Sequence, residues 1–126
     1  MSHASHPGSS HEGMMQGMQE CIDLCGECRE ICTRTVTHCL EMGGRHADAE
    51  HIALLLDCAD ICGTSGSFML RHSGHHRRVC DVCADVCRAC AESCRSIGAN
   101  DAAMKACADV CERCAESCAR MASAAA

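Results

Sequence analysis

An all-α fold is predicted, an antiparallel up-down-up-down four-helix bundle with a cysteine-lined core, on three observations. Sixteen cysteines fall mainly at steps of three and four residues, the step of one face of an α-helix. Two stretches, CADVCRACAESC at 83–94 and CADVCERCAESC at 107–118, write that step twice and share ten of twelve positions. The helical stretches are joined by short connections rich in glycine, and short connections between long helices make antiparallel neighbours. Little β-branched content and no alternation leave no competing strand pattern.

The elements follow in order. Residues 1–11 hold the only proline, Pro7, among Gly, Ser and His, and read as a disordered tail; residues 12–126 form a single bundle domain. The first helix is expected from about Glu12 or Met14 to Met42, stopped by Gly43 and Gly44, a C-cap signal. The second starts near Asp48, a plausible N-cap, and runs to about Arg71, locally weakened by Gly63 and Gly66. Ser73 and Gly74 break the chain, and the third helix spans about His76 to Ile97, stopping at Gly98. Asn100 or Asp101 caps the fourth, which ends near Met121.

Each helix then carries a thiol stripe. The first bears Cys21, Cys25, Cys28, Cys32 and Cys39, and the second Cys58 and Cys62. The third bears Cys80, Cys83, Cys87, Cys90 and Cys94, and the fourth Cys107, Cys111, Cys114 and Cys118. In an antiparallel register the last two helices pair Cys94 with Cys107, Cys90 with Cys111, Cys87 with Cys114 and Cys83 with Cys118. The first two pair Cys32 with Cys58, Cys28 with Cys62 and Cys39 with His51. Two all-cysteine layers result, Cys32/Cys58/Cys90/Cys111 and Cys28/Cys62/Cys87/Cys114, with Cys25/Ser65/Cys83/Cys118 as a near-complete third.

Composition excludes several function classes. A net charge of −6, with no basic stripe and a single aromatic residue, argues against nucleic acid. No apolar run is read as approaching the ~20 residues of a membrane span. The N-terminus, MSHASHPGSSHEG, has no charged segment followed by an apolar one, so a cytosolic location with reduced thiols is expected. No cysteine is singled out beside a His and an acid, so no enzymatic role is expected.

The thiol stripes therefore need another chemistry. A buried free Cys serves as a small hydrophobe, but sixteen in register ask for more. Disulfides within one helix strain the geometry, and a reducing compartment opposes those between helices. Zinc favours CxxC knuckles in loops, and ferredoxin clusters use a loop run ending in Cys-Pro, which is absent here. Soft thiolates and thioethers select Cu(I). A thiol that loses its proton to a monovalent cation leaves the site neutral, whereas a four-thiolate zinc site carries excess negative charge. Neutrality thus predicts multiple Cu(I) ions, roughly one per cysteine, on the order of ten to twenty per chain. An iron–sulfur electron-transfer protein and a metallothionein-like zinc buffer are the alternatives. Many alanines and few breakers give good helix propensity, so the apo chain is expected to fold before metal arrives.

CIDLCGECREIC at 21–32, HCLEM at 38–42, CADIC at 58–62 and the twelve-residue repeat together resemble the bacterial copper storage proteins of the cytosolic type. The resemblance covers about residues 14–122. It implies a homotetramer of bundles, Cu(I) held inside each bundle, and a storage or detoxification role with an unidentified copper donor or acceptor. It also implies a His/Met-bearing mouth at the end of the first helix, where His38 and Met42 match; the register adds Cys39, His51 and Met104 as neighbours. The opposite end, with Met14, Met18, Met69, Met121, His72 and His76, is a rival mouth or an apolar plug. Thr35 or Val36 and Leu54 or Leu55 interrupt the stripe below the favoured mouth.

Overall fold

The computed structural model describes the backbone of residues 5–124 and the side chains of residue 13 and residues 15–124. Four helices account for it: α1 (Ser5–Met42), α2 (Ala49–Leu70), α3 (His76–Ile97) and α4 (Ala102–Ser123). A short 3₁₀ turn, Gly44–Ala47, links α1 to α2. Helix α1 packs on α2 and α4, and α3 on the same two, so consecutive helices are neighbours around one closed bundle. This is the predicted up-down-up-down arrangement.

The helix ends follow from local chemistry. Gly43 and Gly44 take left-handed φ values of 71° and 56°, which cost a glycine no Cβ clash, and the Gly43 amide donates to the Cys39 carbonyl at 3.1 Å. At the end of α2, His72 adopts φ 53° and the Ser73 amide reaches back to the Phe68 carbonyl at 3.0 Å, closing the helix one turn past Met69. Asp101 caps α4, its side chain accepting from the amides of Ala103 and Met104.

Several expectations are corrected. Helix α1 begins at Ser5 rather than near Glu12 or Met14, so residues 5–11 of the expected tail join its first turns; residues 1–4 lie outside the described residues. Pro7 is tolerated because it sits in the first turn, where its amide has no intrahelical partner to lose. Asp48 precedes α2 but its side chain makes no cap hydrogen bond. Gly63 and Gly66 do not interrupt α2. They sit where α1 crosses closely: a Cβ on Gly63 would lie 3.2 Å from Arg29 Cδ, and one on Gly66 would lie 3.9 Å from Cys25 Cβ.

The apolar content of α2 also exceeds the expectation. Ala49–Leu70 is long and apolar enough to cross a membrane by length and composition alone. Its leucines and isoleucines supply most of that apolar character. In the bundle Leu55, Cys58, Ala59, Cys62 and Met69 of this helix face the core, while Leu56 and Leu70 stay exposed.

The core is built on sulfur. All sixteen cysteines have no solvent exposure, and Leu55, Met69 and Met104 are the largest fully buried side chains. Alanines 84, 91, 108 and 115 fill the flanks beside the thiols, and their small size lets α3 and α4 approach closely. Among the described residues no buried side-chain N or O atom lacks a hydrogen-bond partner.

Candidate metal centre

The site begins with the helical step. Each CxxxC pair places two sulfurs one turn apart on the same face, and four such faces meet at the bundle axis. None of the sixteen thiols is in a disulfide. Cys21 and Cys25 each lie 3.6 Å from Cys118, and Cys25 is 3.8 Å from Cys114. Cys28 is 3.7 Å from both Cys58 and Cys111. Cys32 is 3.6 Å from Cys111 and 3.8 Å from Cys107. Across the bundle, Cys62 stands 3.6 Å from both Cys83 and Cys87, and Cys58 stands 3.6 Å from Cys87. Sulfur thus follows sulfur within 4 Å along most of the interior.

The layers are staggered rather than flat. Cys28, Cys62, Cys87 and Cys114 converge as one group, as the register predicts, with their sulfurs within 4.8 Å of one another. The other two layers are redistributed. Cys32 and Cys111 share one group with Cys28 and Cys58 and another with Cys90 and Cys107, while Cys25 joins Cys62, Cys83 and Cys114. Ser65 meets Cys80 at 3.4 Å instead. The cause is the lean of each side chain toward the N-terminus of its own helix, which offsets sulfurs on antiparallel neighbours and interleaves them.

Electrostatics inside the tube depend on this network. Burial disfavours a thiolate, while hydrogen bonds from neighbouring S–H groups favour it. Cys25, Cys58 and Cys107 receive such bonds, chiefly from Cys114, Cys111 and Cys111 respectively, and are pushed down. Cys62, Cys111 and Cys118 are pushed up, chiefly through Cys114, Cys107 and Cys114. One thiolate is therefore stabilised by the protons of the next, and the run cannot ionise throughout without cations.

At one end the donors change. Cys39 Sγ is 3.4 Å from His51 Nε2 and 3.5 Å from Met104 Sδ. Burial pushes the Cys39 thiol up to about 11 and pushes His51 down, so the imidazole is neutral with a nitrogen free to ligate. His51 Nδ1 is 2.7 Å from Ser93 Oγ. Of the candidate auxiliary residues, His51 and Met104 thus meet Cys39. His38 does not: its Nε2 is 2.7 Å from Asp101 Oδ2, which His46 Nε2 also reaches at 3.1 Å. These contacts lower the Asp101 carboxyl to about 2, the His38 bond first among the causes. Met42 is 55% exposed and, with His38, His46 and Asp101, lines an open depression of about 590 Å³. A second depression of about 460 Å³ is lined by His51 and Ser93.

Ser93, His46 and the histidine-bridging role of Asp101 escaped the sequence reading. The only signal for Ser93 is its place next to inward-facing Cys94, across from His51. At the opposite end Met69 is fully buried and Met18 and Met121 pack partly against the core; the side chain of Met14 lies outside the described residues. Below the Cys39 mouth, Thr35 and Leu55 are the buried members of the interrupting layer.

Comparison with known proteins places this tube. Residues 14–123 match the Csp family, the copper storage proteins. The chain belongs to the copper storage protein family. Solved structures share the fold. The Nmul_A1745 protein of Nitrosospira multiformis is 46% identical with a TM-score of 0.80, over 85% of this chain and 95% of that one. Cu(I)-bound BsCsp3, from Bacillus subtilis, is 34% identical with a TM-score of 0.78, over 85% and 99%. Ccsp of Streptomyces lividans, loaded with 10 copper equivalents, is 30% identical with a TM-score of 0.78, over 85% and 84%. No curated protein matches the chain.

Proposed function

We propose that this chain is a cytosolic store that sequesters multiple Cu(I) ions on its cysteine thiolates inside the bundle, without turnover. The observation that carries the reading is the set of sixteen fully buried free thiols, most of them within 4 Å of another sulfur. Solvent is excluded, so charge must balance locally, and a monovalent soft cation balances one thiolate. Zinc in a four-thiolate group leaves two negative charges in the same dry interior. Membership of the copper storage protein family and the copper-loaded state of the Bacillus and Streptomyces relatives support the same choice of metal.

The reading extends to capacity, ligands and assembly. All sixteen cysteines are the ligands, and capacity is on the order of one Cu(I) per thiol, ten to twenty ions, by the neutrality requirement. Copper passes the Cys39 end, where His51 and Met104 flank the last thiol of α1 and exposed Met42 and His38 stand outside. The bundles assemble as homotetramers, for which exposed Leu40, Leu56, Leu70 and Val82 offer apolar surface. Anaerobic titration of reduced protein with Cu(I), read by native mass and chelator competition, tests this. The expected result is uptake of ten or more ions per chain with no visible absorption. Uptake of at most two, or a coloured product, overturns it.

A further inference from the structure

We propose that the α2–α3 connection, at the end of the bundle away from Cys39, is a basic tip that seats the protein peripherally on a bilayer of anionic phospholipid. This attachment is separate from copper storage and uses none of the cysteines. The stretch between Asp60 and Asp81 holds no acid but three arginines, Arg71, Arg77 and Arg78, and three histidines, His72, His75 and His76. All 17 of the chain's Asp and Glu lie outside it, in a chain of net charge −6. Among the described residues none of the three arginines enters an ion pair. Arg71, His72, His75 and Arg78 are exposed. Leu70, beside Arg71, is 63% exposed, more than any other large hydrophobic side chain described.

The tip is held in shape by its own contacts. The Arg71 guanidinium lies over the Phe68 ring, 5.0 Å from its centroid, a cation–π contact that sets its direction. His76 Nδ1–H donates to the Ser73 carbonyl at 2.8 Å, and the His75 amide donates to Ser73 Oγ at 3.1 Å. Arg77 donates to the Ala124 carbonyl, tying the turn to the end of α4. Arg77 is thus used within the fold, and Arg71 and Arg78 are left to face outward. With the turn already fixed, docking has little left to order.

The chemistry of the tip selects its occupant. Guanidinium groups pair with lipid phosphates, and an exposed aliphatic side chain enters the boundary between headgroups and acyl chains. A bilayer needs no shape match, whereas a stable protein interface takes about 20–30 residues on each side, and this tip is a single turn. Single-stranded nucleic acid is gripped by bases stacked on aromatic rings, and the chain's one aromatic ring is already covered by Arg71. The negative net charge is not an obstacle. Asp60, the last acid on α2, stands roughly 15 Å of helix from Leu70, beyond the Debye length of about 10 Å at 0.1 M salt. Exposed Asp81 and Glu20 stand nearer, at the end to which α4 also brings exposed Arg120. Docked end-on, the 22-residue helices α2 and α3 hold the Cys39 end roughly 33 Å from the lipid, open to the aqueous side.

The test is sedimentation of the reduced full-length protein with large vesicles, either phosphatidylglycerol mixed with phosphatidylcholine or phosphatidylcholine alone, with duplex DNA titrated in parallel. The expected result is binding to the mixed vesicles at about 0.05 M salt and its loss at about 0.5 M, with none to phosphatidylcholine alone and weaker or no binding to DNA. Each arginine beside an anionic surface strengthens attachment about fivefold, so Arg71→Gln combined with Arg78→Gln weakens it roughly 25-fold, while the paired lysine substitutions retain it. Leu70→Ser weakens vesicle binding about tenfold and leaves any DNA binding unchanged. Helicity by circular dichroism and Cu(I) uptake stay at the wild-type level in every variant. Equal binding to the two vesicle types, no binding to either, DNA bound as tightly as the mixed vesicles, or undiminished vesicle binding by the folded double glutamine variant overturns the tip. Copper uptake is measured on the same samples, so its failure would sink the storage reading and leave the tip untouched.

Discussion

At the scale of single residues, the thiols are not equivalent, because the stagger gives them different numbers of partners. Cys62 faces Cys83, Cys87 and Cys114 within 3.9 Å and belongs to two four-sulfur groups, while Cys21 belongs to a group of three at the tube's end. A sulfur that bridges ions holds more than one of them. Cys62→Ser is therefore expected to lower Cu(I) capacity by about two equivalents and Cys21→Ser by about one, given shared soft ligation. Chelator competition on the two variants measures this, and equal losses would mean that the ions do not share sulfurs. That every cysteine points inward was legible in the sequence, since a step of three or four admits no other face. Which sulfurs meet was only half legible. Register gives residue heights along the axis, but the lean of each Cα–Cβ bond decides which neighbour a sulfur reaches. Ser93 was not legible, because a lone serine beside a thiol stripe reads as surface.

At the scale of elements, the helices and their order were legible because cysteine spacing, glycine stops and short connections all agree. The start of α1 was not, since Pro7 is a breaker inside a helix but harmless in a first turn. Asp101 shows how one cap was readable in its local role and hidden in its wider one. Its side chain satisfies two amides of α4 and also takes hydrogen bonds from His38 of α1 and His46 of the linking turn. Asp101→Ala is expected to destabilise the apo bundle by about 1 kcal/mol through the lost cap, measured by urea unfolding. The pH dependence follows from the carboxyl's shift from 3.8 to about 2. A carboxylate with a depressed folded-state pKa contributes its full stability above the unfolded value and loses it as pH falls through the folded one. The gap between wild type and variant is therefore widest above 3.8 and narrows toward 2. A gap independent of pH over that interval would mean that the histidine contacts contribute nothing.

At the scale of the whole molecule, the chain has one aromatic residue, and among the described residues the largest fully buried side chains are Leu55, Met69 and Met104. Apolar burial, at about 25 cal/mol per Å², is spread over small thiols and alanines. The apo fold holds because its backbone is almost wholly helical and most of its thiols are hydrogen-bonded to one another. Loading replaces those protons. Each Cu(I) that binds the folded chain and not the unfolded one adds about 2.7 kcal/mol at a free concentration one hundredfold above its dissociation constant. Many sites summed in one cooperative unit must raise the melting temperature far beyond any single substitution. Zn(II) at matched occupancy raises it less, since every four-thiolate zinc leaves charge in an interior without water to solvate it. Anaerobic calorimetry of the apo, Cu(I)-loaded and Zn(II)-loaded protein distinguishes these cases. A melting temperature that does not move on Cu(I) addition would place the ions outside the bundle, and an equal rise with zinc would remove charge neutrality as the basis of metal choice.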